Sequence, residues 1–233
     1  MSLEVIEFET DAAPRVSVIV LHGLGADGND FVPVAEQLNL DGVGPVRFVF
    51  PHAPTRPVTV NGGHVMRAWY DIVGPDLNRR EDETGLRASQ LAIDQLIARE
   101  VARGVPAAKV VLLGFSQGCA MTLMTGLRHG DRLAGLAGLS GYLPLAASTA
   151  LERHDANALT PMFLAHGRND GMVPLARGVA ARDLLQGLGQ PIESRDALVA
   201  LGHAVEWHDY PMQHSVCGQE IADLNRWLLR VLA

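Results

Sequence analysis

Short apolar runs recur along the chain and alternate with segments whose apolar residues repeat at helical spacing. Runs of this length, bounded by Gly and Pro, are typical of buried strands. Helical spacing is clear at 83–103, where four apolar residues share one face before Gly104 and Pro106. The pattern predicts strands at 3–8, 16–21, 46–50, 110–113, 133–139, 161–165 and 205–210, and helices at 31–38, 83–103, 119–128, 174–185 and 221–231.

This alternation predicts an α/β fold with a mostly parallel sheet flanked by helices on both faces. In such sheets the functional residues lie in loops at the carboxyl ends of the strands. The 233 residues contain no linker or low-complexity tract, so we expect a single domain over residues 1–233.

The composition narrows the class of function. A net charge of −7 disfavours nucleic acid as a partner. The N-terminal residues lack the basic and apolar regions of a signal peptide, and no run reaches membrane-spanning length. We therefore expect a cytoplasmic location without stable membrane insertion. Cys119 and Cys217 have the spacing of neither a zinc site nor a disulfide framework.

One segment, 51–80, shows neither helical nor strand spacing over most of its length. It is rich in Pro, Gly and Asn and has a strand-like pattern only at 65–72. Long irregular segments within a compact domain are often functional. Met66 and Trp69 are therefore candidate substrate-binding residues, together with Phe115 further along the chain. For Trp69 a second interpretation stays open, in which the indole only anchors the loop on the core.

The motif around which the chain is organised is Gly114-Phe115-Ser116-Gln117-Gly118, between a predicted strand and a predicted helix. A serine in this context is typical of a nucleophile elbow, whose tight turn strains the backbone and exposes the hydroxyl. Gly114 and Gly118 leave out side chains where strand and helix nearly touch. The helix start also directs backbone N–H groups at an oxyanion formed beside the serine.

A serine nucleophile needs a base, and the base needs an acid that orients it. In elbow hydrolases the chain order is serine, acid, histidine. Ser116, Asp170 and His214 satisfy this order, and the last two follow predicted strands. His203 and His208 fit less well, because they precede a strand and lie within one. The prediction is a catalytic triad that works through an acyl-enzyme.

The sequence supports two other functions, dinucleotide binding and metal binding, less well. Gly23, Gly25 and Gly28 match a dinucleotide-binding fingerprint, but we expect Asn29 or Asp30 to cap the next helix, so that the glycines precede it. The following strand also ends without a ribose-binding acid. A metal site is disfavoured because the C-terminal histidines lack one-face spacing. The glycine segment is better interpreted as one half of an oxyanion hole.

Motifs along nearly the whole chain resemble the acyl-protein thioesterase and carboxylesterase family of α/β hydrolases. They are LHGLGADG (21–28), PHAP (51–54), RAWYD (67–71), GFSQG (114–118), LSGYLP (139–144), HGRND (166–170) and YPMQH (210–214). The resemblance implies an α/β-hydrolase fold without a large cap domain, with the backbone N–H groups of Leu24 and Gln117 as oxyanion donors. It implies hydrolysis of small carboxylic esters or thioesters without a cofactor, and it is compatible with a homodimer.

Two features depart from the family pattern. Cys119 stands where the elbow usually continues with glycine. Residues 181–193 and 194–206 share Arg, Asp, Leu, Leu, Gly and Glu in register, either as a 13-residue duplication or by chance. If they are a duplication, we expect only the second copy to lead into the strand before His214.

The substrate stays open from the sequence. Long acyl chains, as in an acyl-protein thioesterase or a lysophospholipase, are one alternative to small esters. A ligand-binding protein on a hydrolase scaffold is the alternative without catalysis.

Overall fold

The computed structural model of the chain describes residues 3–74, 81–188 and 204–233. Within these ranges the strands are β1 (Val5–Glu9), β2 (Val16–Leu21), β3 (Val46–Pro51), β4 (Thr55–Val58), β5 (His64–Arg67), β6 (Val110–Phe115), β7 (Gly135–Leu139), β8 (Met162–Gly167) and β9 (Val205–Tyr210). The α-helices are α1 (Val32–Ala35), α2 (Glu83–Ala102), α3 (Gln117–Arg128), α4 (Ala146–Glu152), α5 (Leu175–Gly187) and α6 (Gly218–Leu232).

In the described part of the chain, seven strands form one sheet in the order β1-β3-β2-β6-β7-β8-β9, and β4 pairs with β5 separately. Only β1 runs antiparallel to its neighbour in the large sheet. The predicted mostly parallel sheet is therefore confirmed. β6 occupies the middle, so the elbow lies at the centre of the carboxyl edge.

Both faces of the sheet are covered, which explains why its strands read as continuous apolar runs. On β6, Val110 and Leu112 belong to one buried cluster, and Val111 and Leu113 belong to the other. Helices α2, α3 and α5 contribute to the first cluster, and α1 and α6 contribute to the second. The two layers pack against the central strand from both sides and so fix the position of the residues at its end.

The helix predicted at 31–38 is a shorter α-helix that a 3-10 turn precedes. A 3-10 turn, Gly28–Phe31, precedes α1, and its cap is Asp27 rather than Asn29 or Asp30. The Asp27 carboxylate accepts the Asn29 N–H at 2.7 Å, and the Asp30 carboxylate accepts the Asp27 N–H at 2.7 Å. Gly28 thus begins the turn, contrary to our expectation, while Gly23 and Gly25 precede it.

Two irregular segments contain structure that the pattern did not predict. The strand expected over 65–72 is instead the second strand of the β4–β5 pair, whose first strand contains Pro57. Helix α4 lies in a connection without helical periodicity, because Thr149 is its only buried residue and Leu151 is 91% exposed. A helix that buries so little leaves no amphipathic signal.

The proposed duplication lies largely outside the described residues. Helix α5 ends at Gly187 and β9 begins at Val205, and the end of the first copy and most of the second fall at 189–203, as does His203. The duplication hypothesis stays a prediction.

Glu220, a buried acid in the first turn of α6, should make stability depend on pH. Burial raises the pKa of its carboxyl to about 8, against a smaller opposite effect of the Cys217 N–H. The folded state therefore keeps a proton that the unfolded chain releases near pH 4.3, and stability falls as the pH rises from about 4.3 to about 8. The loss is on the order of a few kcal/mol.

We expect Glu220→Gln to flatten this part of the stability profile, because the amide does not titrate. The free energy of unfolding in urea, measured between about pH 5 and about pH 8, checks it. Glu83→Gln, which removes an exposed acid at the start of α2, is the control and should keep the wild-type slope. The same slope in Glu220→Gln and wild type would contradict the prediction.

Candidate active site

The backbone at Ser116 has the strain that a nucleophile elbow requires. Ser116 has φ of 56° and ψ of −116° between β6 and α3. Positive φ is uncommon for a residue with a side chain, and it persists only when the surroundings enforce it. Here the Ser116 N–H donates to the Leu139 carbonyl at 2.9 Å, and the Ser116 carbonyl accepts the Ala120 N–H at 3.2 Å.

Close packing explains the glycines of the motif. A Cβ at Gly118 would collide with the Leu21 carbonyl, and a Cβ at Gly114 would collide with the Gly118 backbone. Cys119, the departure from the family pattern, is buried against Gly141, where a Cβ would lie 2.5 Å from the Cys119 Cβ. Burial raises the pKa of the Cys119 thiol to about 12, so it remains a protonated packing group.

The structure brings Ser116, Asp170 and His214 together from three separate segments. His214 Nε2 lies 3.0 Å from Ser116 Oγ, and His214 Nδ1 lies 2.7 Å from Asp170 Oδ2. Asp170 Oδ1 accepts the N–H groups of Met172 and Val173, each at 2.8 Å. A carboxylate held by two backbone donors keeps its second oxygen directed at the imidazole, which then donates from Nδ1 and accepts at Nε2.

Contacts between loops set the position of His214. The Arg168 N–H donates to the Tyr210 carbonyl at 2.8 Å, and the Asn169 N–H donates to the Met212 carbonyl at 3.0 Å. These bonds join the loop after β8 to the end of β9 and to the loop that follows it. The imidazole therefore reaches the serine from the loop after β9.

Phe115 packs beside this imidazole. The centroids of the Phe115 and His214 rings are 4.7 Å apart, and Phe31 lies on Phe115 at 5.7 Å. The ring is half-buried. The sequence predicts Phe115 as a candidate substrate-binding residue, and in the structure its ring packs against Phe31 and His214.

The other histidines near the site are not placed to act as its base. His166 is buried, its ring nitrogen Nε2 donates to the Val173 carbonyl at 2.8 Å, and burial lowers its pKa. It therefore supports the Asp170 loop as a neutral ring. His208 pairs with Glu206 at 2.9 Å on β9.

The two expected oxyanion donors have unoccupied N–H groups. Neither the Leu24 N–H nor the Gln117 N–H has an acceptor among the described residues, while the Gly25 N–H donates to the Arg67 carbonyl at 2.9 Å. Gln117 begins α3, so its N–H has no intrahelical acceptor. A Cβ built on Gly23 would lie 3.4 Å from the Ser116 Cβ, which places the glycine segment against the elbow.

The remaining substrate-binding candidates differ. Met66 is half-buried, and its Sδ would lie 3.6 Å from a Cβ built on Gly25, so it borders the glycine segment. Trp69 has no exposed surface, and its indole N–H donates to the His22 carbonyl at 2.9 Å. The interpretation of Trp69 as a direct substrate contact is therefore wrong, because the side chain is completely buried in the core and its N–H already donates a hydrogen bond.

An apolar cavity of about 280 Å³ lies between the segment after β7 and α5. The Arg177 guanidinium lies over the Tyr142 ring, 5.3 Å from its centroid. The other lining residues are Leu143, Ala146, Ala176, Ala180, Ala181 and Leu184. Both walls belong to segments that carry site residues nearby, Gly141 against Ser116 and α5 after the Asp170 loop.

A comparison with known protein families decides the class. The model of the phospholipase/carboxylesterase family matches residues 2–232. The chain belongs to this family. It is a serine hydrolase with the α/β-hydrolase fold, and it hydrolyses carboxylic esters or thioesters. These predictions from the sequence are confirmed.

Similar proteins from fungi and plants support this membership of the phospholipase/carboxylesterase family. Acyl-protein thioesterase 1 of Yarrowia lipolytica is 36% identical over 96% of this chain and 95% of its own length. Acyl-protein thioesterase 1 of Neurospora crassa is 38% identical over 93% of this chain and 87% of its own. The crystal structure of Arabidopsis thaliana SOBER1 superposes with a TM-score of 0.84 at 31% identity, covering 94% of this chain and 100% of that one.

Two absences concern only the part of the chain that the structure describes. There, no three His, Cys, Asp or Glu side chains are grouped so that they could hold a metal ion. No described helix has both the length and the apolar composition needed to cross a bilayer.

Proposed function

We propose that Ser116 is the nucleophile, His214 the general base and Asp170 the acid that orients His214. The observation that carries this assignment is the unbroken hydrogen-bond path from Asp170 Oδ2 through both imidazole nitrogens to Ser116 Oγ. Each distance lies within the range needed for proton transfer. The Ser116 backbone, strained at φ of 56°, adds support because strain of this kind clusters at active sites.

The reaction then has two halves. Ser116 Oγ attacks the carbonyl carbon while His214 Nε2 takes the hydroxyl proton, and the N–H groups of Leu24 and Gln117 donate to the oxyanion of the tetrahedral intermediate. His214 returns the proton to the leaving alcohol or thiol as the acyl-enzyme forms. A water molecule repeats the sequence with the same histidine and releases the acid. Asp170 stabilises the imidazolium at each half without taking its proton.

We propose acyl thioesters and esters with an extended acyl chain as the substrates, rather than only small esters. Two relatives in separate fungi are named acyl-protein thioesterase 1. The apolar cavity beside α5 offers a place where methylene groups would be removed from water. Turnover of p-nitrophenyl esters of increasing chain length, beside an S-acyl cysteine peptide, tests this. Activity confined to the shortest esters would reject the proposed substrate class.

Filling the cavity should shorten the preferred acyl chain. Ala180→Leu adds three carbons to the cavity lining, and we expect kcat/KM for long-chain esters to fall about tenfold, which is typical of lost apolar pocket contacts. Hydrolysis of a short ester should stay near the wild-type rate. Ala98→Leu on the exposed surface of α2 is the matched control. An equal loss on short and long esters would contradict a role for this cavity in acyl-chain binding.

We also propose that residues 1–233 form one domain, because both apolar clusters flank the same sheet. A homodimer and a cytoplasmic location stay predictions from the sequence. Light scattering coupled to gel filtration tests the first, and fractionation of the source cells tests the second.

A further inference from the structure

The two proposed oxyanion donors lie on segments that are far apart in sequence, and buried hydrogen bonds connect them. Leu24 follows β2 and Gln117 begins α3. The connection runs through the side chains of Gln117, Trp69 and His22, which we call the donor bridge. All three are buried, with exposures of 3%, 0% and 1%. Hydrogen bonds in such surroundings are protected from competing water.

The first half of the donor bridge joins the elbow to Trp69. Gln117 Oε1 accepts the Trp69 backbone N–H at 3.0 Å, and Gln117 Nε2 donates to the Tyr70 carbonyl at 3.0 Å. The Trp69 carbonyl accepts the Ser89 hydroxyl from α2. The backbone at 69–70 is thus fixed both to the residue that carries one oxyanion donor and to the helix layer.

The second half joins Trp69 to the glycine segment. The Trp69 indole N–H donates to the His22 carbonyl at 2.9 Å. The Ala53 N–H donates to His22 Nε2 at 3.0 Å, so the ring carries its proton on Nδ1 and donates from there to the Gly23 carbonyl at 2.7 Å. Burial lowers the pKa of His22, which agrees with the neutral ring that this arrangement requires.

The His22 bond sets the direction of an oxyanion donor. The Gly23 carbonyl and the Leu24 N–H belong to the same peptide group, which is planar and trans, so the two point in opposite directions. A ring that holds the carbonyl on one side therefore directs the N–H to the other. Trp69 acts one peptide earlier, where it holds the His22 carbonyl.

We propose that Trp69 and His22 are positioning residues that fix the separation and direction of the two oxyanion donors. The proposal rests on the proposed function, in which those donors bind the oxyanion. Neither residue has to touch the substrate. Their contribution is to preorganise two dipoles before charge develops, so that no reorientation is needed in the transition state.

The expected signature is a loss of kcat without a matching change in KM. Removing an oxyanion donor costs about 10²- to 10³-fold in kcat. A donor that remains but is poorly aligned should cost less, so we expect Trp69→Phe to lower kcat about tenfold. This variant deletes the indole N–H and keeps an aromatic ring. KM should stay within about threefold of wild type, because the oxyanion interaction is made only in the transition state.

A transition-state analogue separates positioning from general damage. A boronic acid that adds to the serine should bind Trp69→Phe more weakly by about the factor lost in kcat/KM. Replacing Trp69 with benzothienylalanine keeps the shape of the bicycle without its N–H, and this second variant should reproduce the loss if Trp69→Phe does not fold. Trp227→Phe is the control, because Trp227 is 2% exposed and belongs to the other apolar cluster.

The outcomes are distinct. Loss of kcat with matching loss of analogue affinity, in the Trp69 variants but not in Trp227→Phe, supports the proposal. Wild-type kcat and analogue affinity in a folded Trp69 variant overturn it, and so does an equal loss in Trp227→Phe. If Ser116→Ala keeps its activity, the proposed function itself fails. A Ser116-dependent enzyme that is insensitive to the indole N–H refutes the donor bridge alone.

Discussion

Ser116→Ala is expected to lower kcat by about 10⁴- to 10⁶-fold, the range seen when a serine nucleophile is removed from a triad. No other described hydroxyl has a hydrogen bond to His214, so the proton path from the nucleophile ends with this substitution. The variant should fold, because alanine occupies less volume at a half-buried position and the turn is held by backbone bonds. Hydrolysis of an activated ester measures the loss.

Covalent labelling provides an independent measurement of the same assignment. A serine-directed phosphonate should add one adduct to the wild-type chain, located at Ser116 by peptide mass spectrometry, and none to Ser116→Ala. Ser148→Ala removes the hydroxyl of a serine on α4 that bonds only local partners and Arg128, and it should behave as wild type. An adduct at another residue would reject Ser116 as the nucleophile.

The sequence predicts those parts of the site that depend on short motifs and on the order of residues along the chain. A strand that enters Gly114 and a helix that leaves Gly118 identify the elbow, because only that turn needs both glycines. The chain order serine, acid, histidine then predicts Asp170 and His214, although this order contains no information about the distances between the residues. A pattern in sequence can predict that two loops meet at one edge of a sheet, since the strands before them are parallel.

The direction of individual side chains was not predictable in the same way. Trp69 could be placed in the sequence as a large ring near the site, but its burial depends on the carbonyl of His22 and the amide of Gln117, which lie 47 and 48 residues away. No periodicity connects these three residues. Their roles emerge only when the hydrogen bonds of buried polar groups are followed to their partners.

The helix cap at Asp27, which we did not predict, has a signal in the local sequence. Asp27 followed three residues later by Asp30 is a spacing typical of a reciprocal helix cap, and it indicates a helical turn that starts at Gly28. For Cys119, the compensating partners lie on β7 and just after it. Gly138 and Gly141 leave room for the sulfur, so a larger residue in the elbow helix is matched by missing side chains opposite.

Asp170→Asn is expected to lower kcat by about 10⁴-fold while leaving the fold of the site in place. Asp170 Oδ1 accepts the N–H groups of Met172 and Val173, and an amide oxygen at that position can accept the same two bonds. The amide nitrogen must then face His214 Nδ1, where it can only donate. This forces the imidazole proton onto Nε2, so the nitrogen beside Ser116 Oγ can no longer take the hydroxyl proton.

The experiment compares kcat, the melting temperature and the rate of phosphonate labelling. We expect Asp170→Asn to melt near the wild-type temperature. We also expect the phosphonate to label it far more slowly, because labelling and ester hydrolysis both need the deprotonated serine. Asp209→Asn is the matched control, since Asp209 pairs with Arg168 at 3.1 Å on the surface and has no bond to His214. If Asp170→Asn kept kcat within about tenfold of wild type, the carboxylate would not be what sets the tautomer of His214, and the hydrogen-bond path that supports the proposed mechanism would lose its first member.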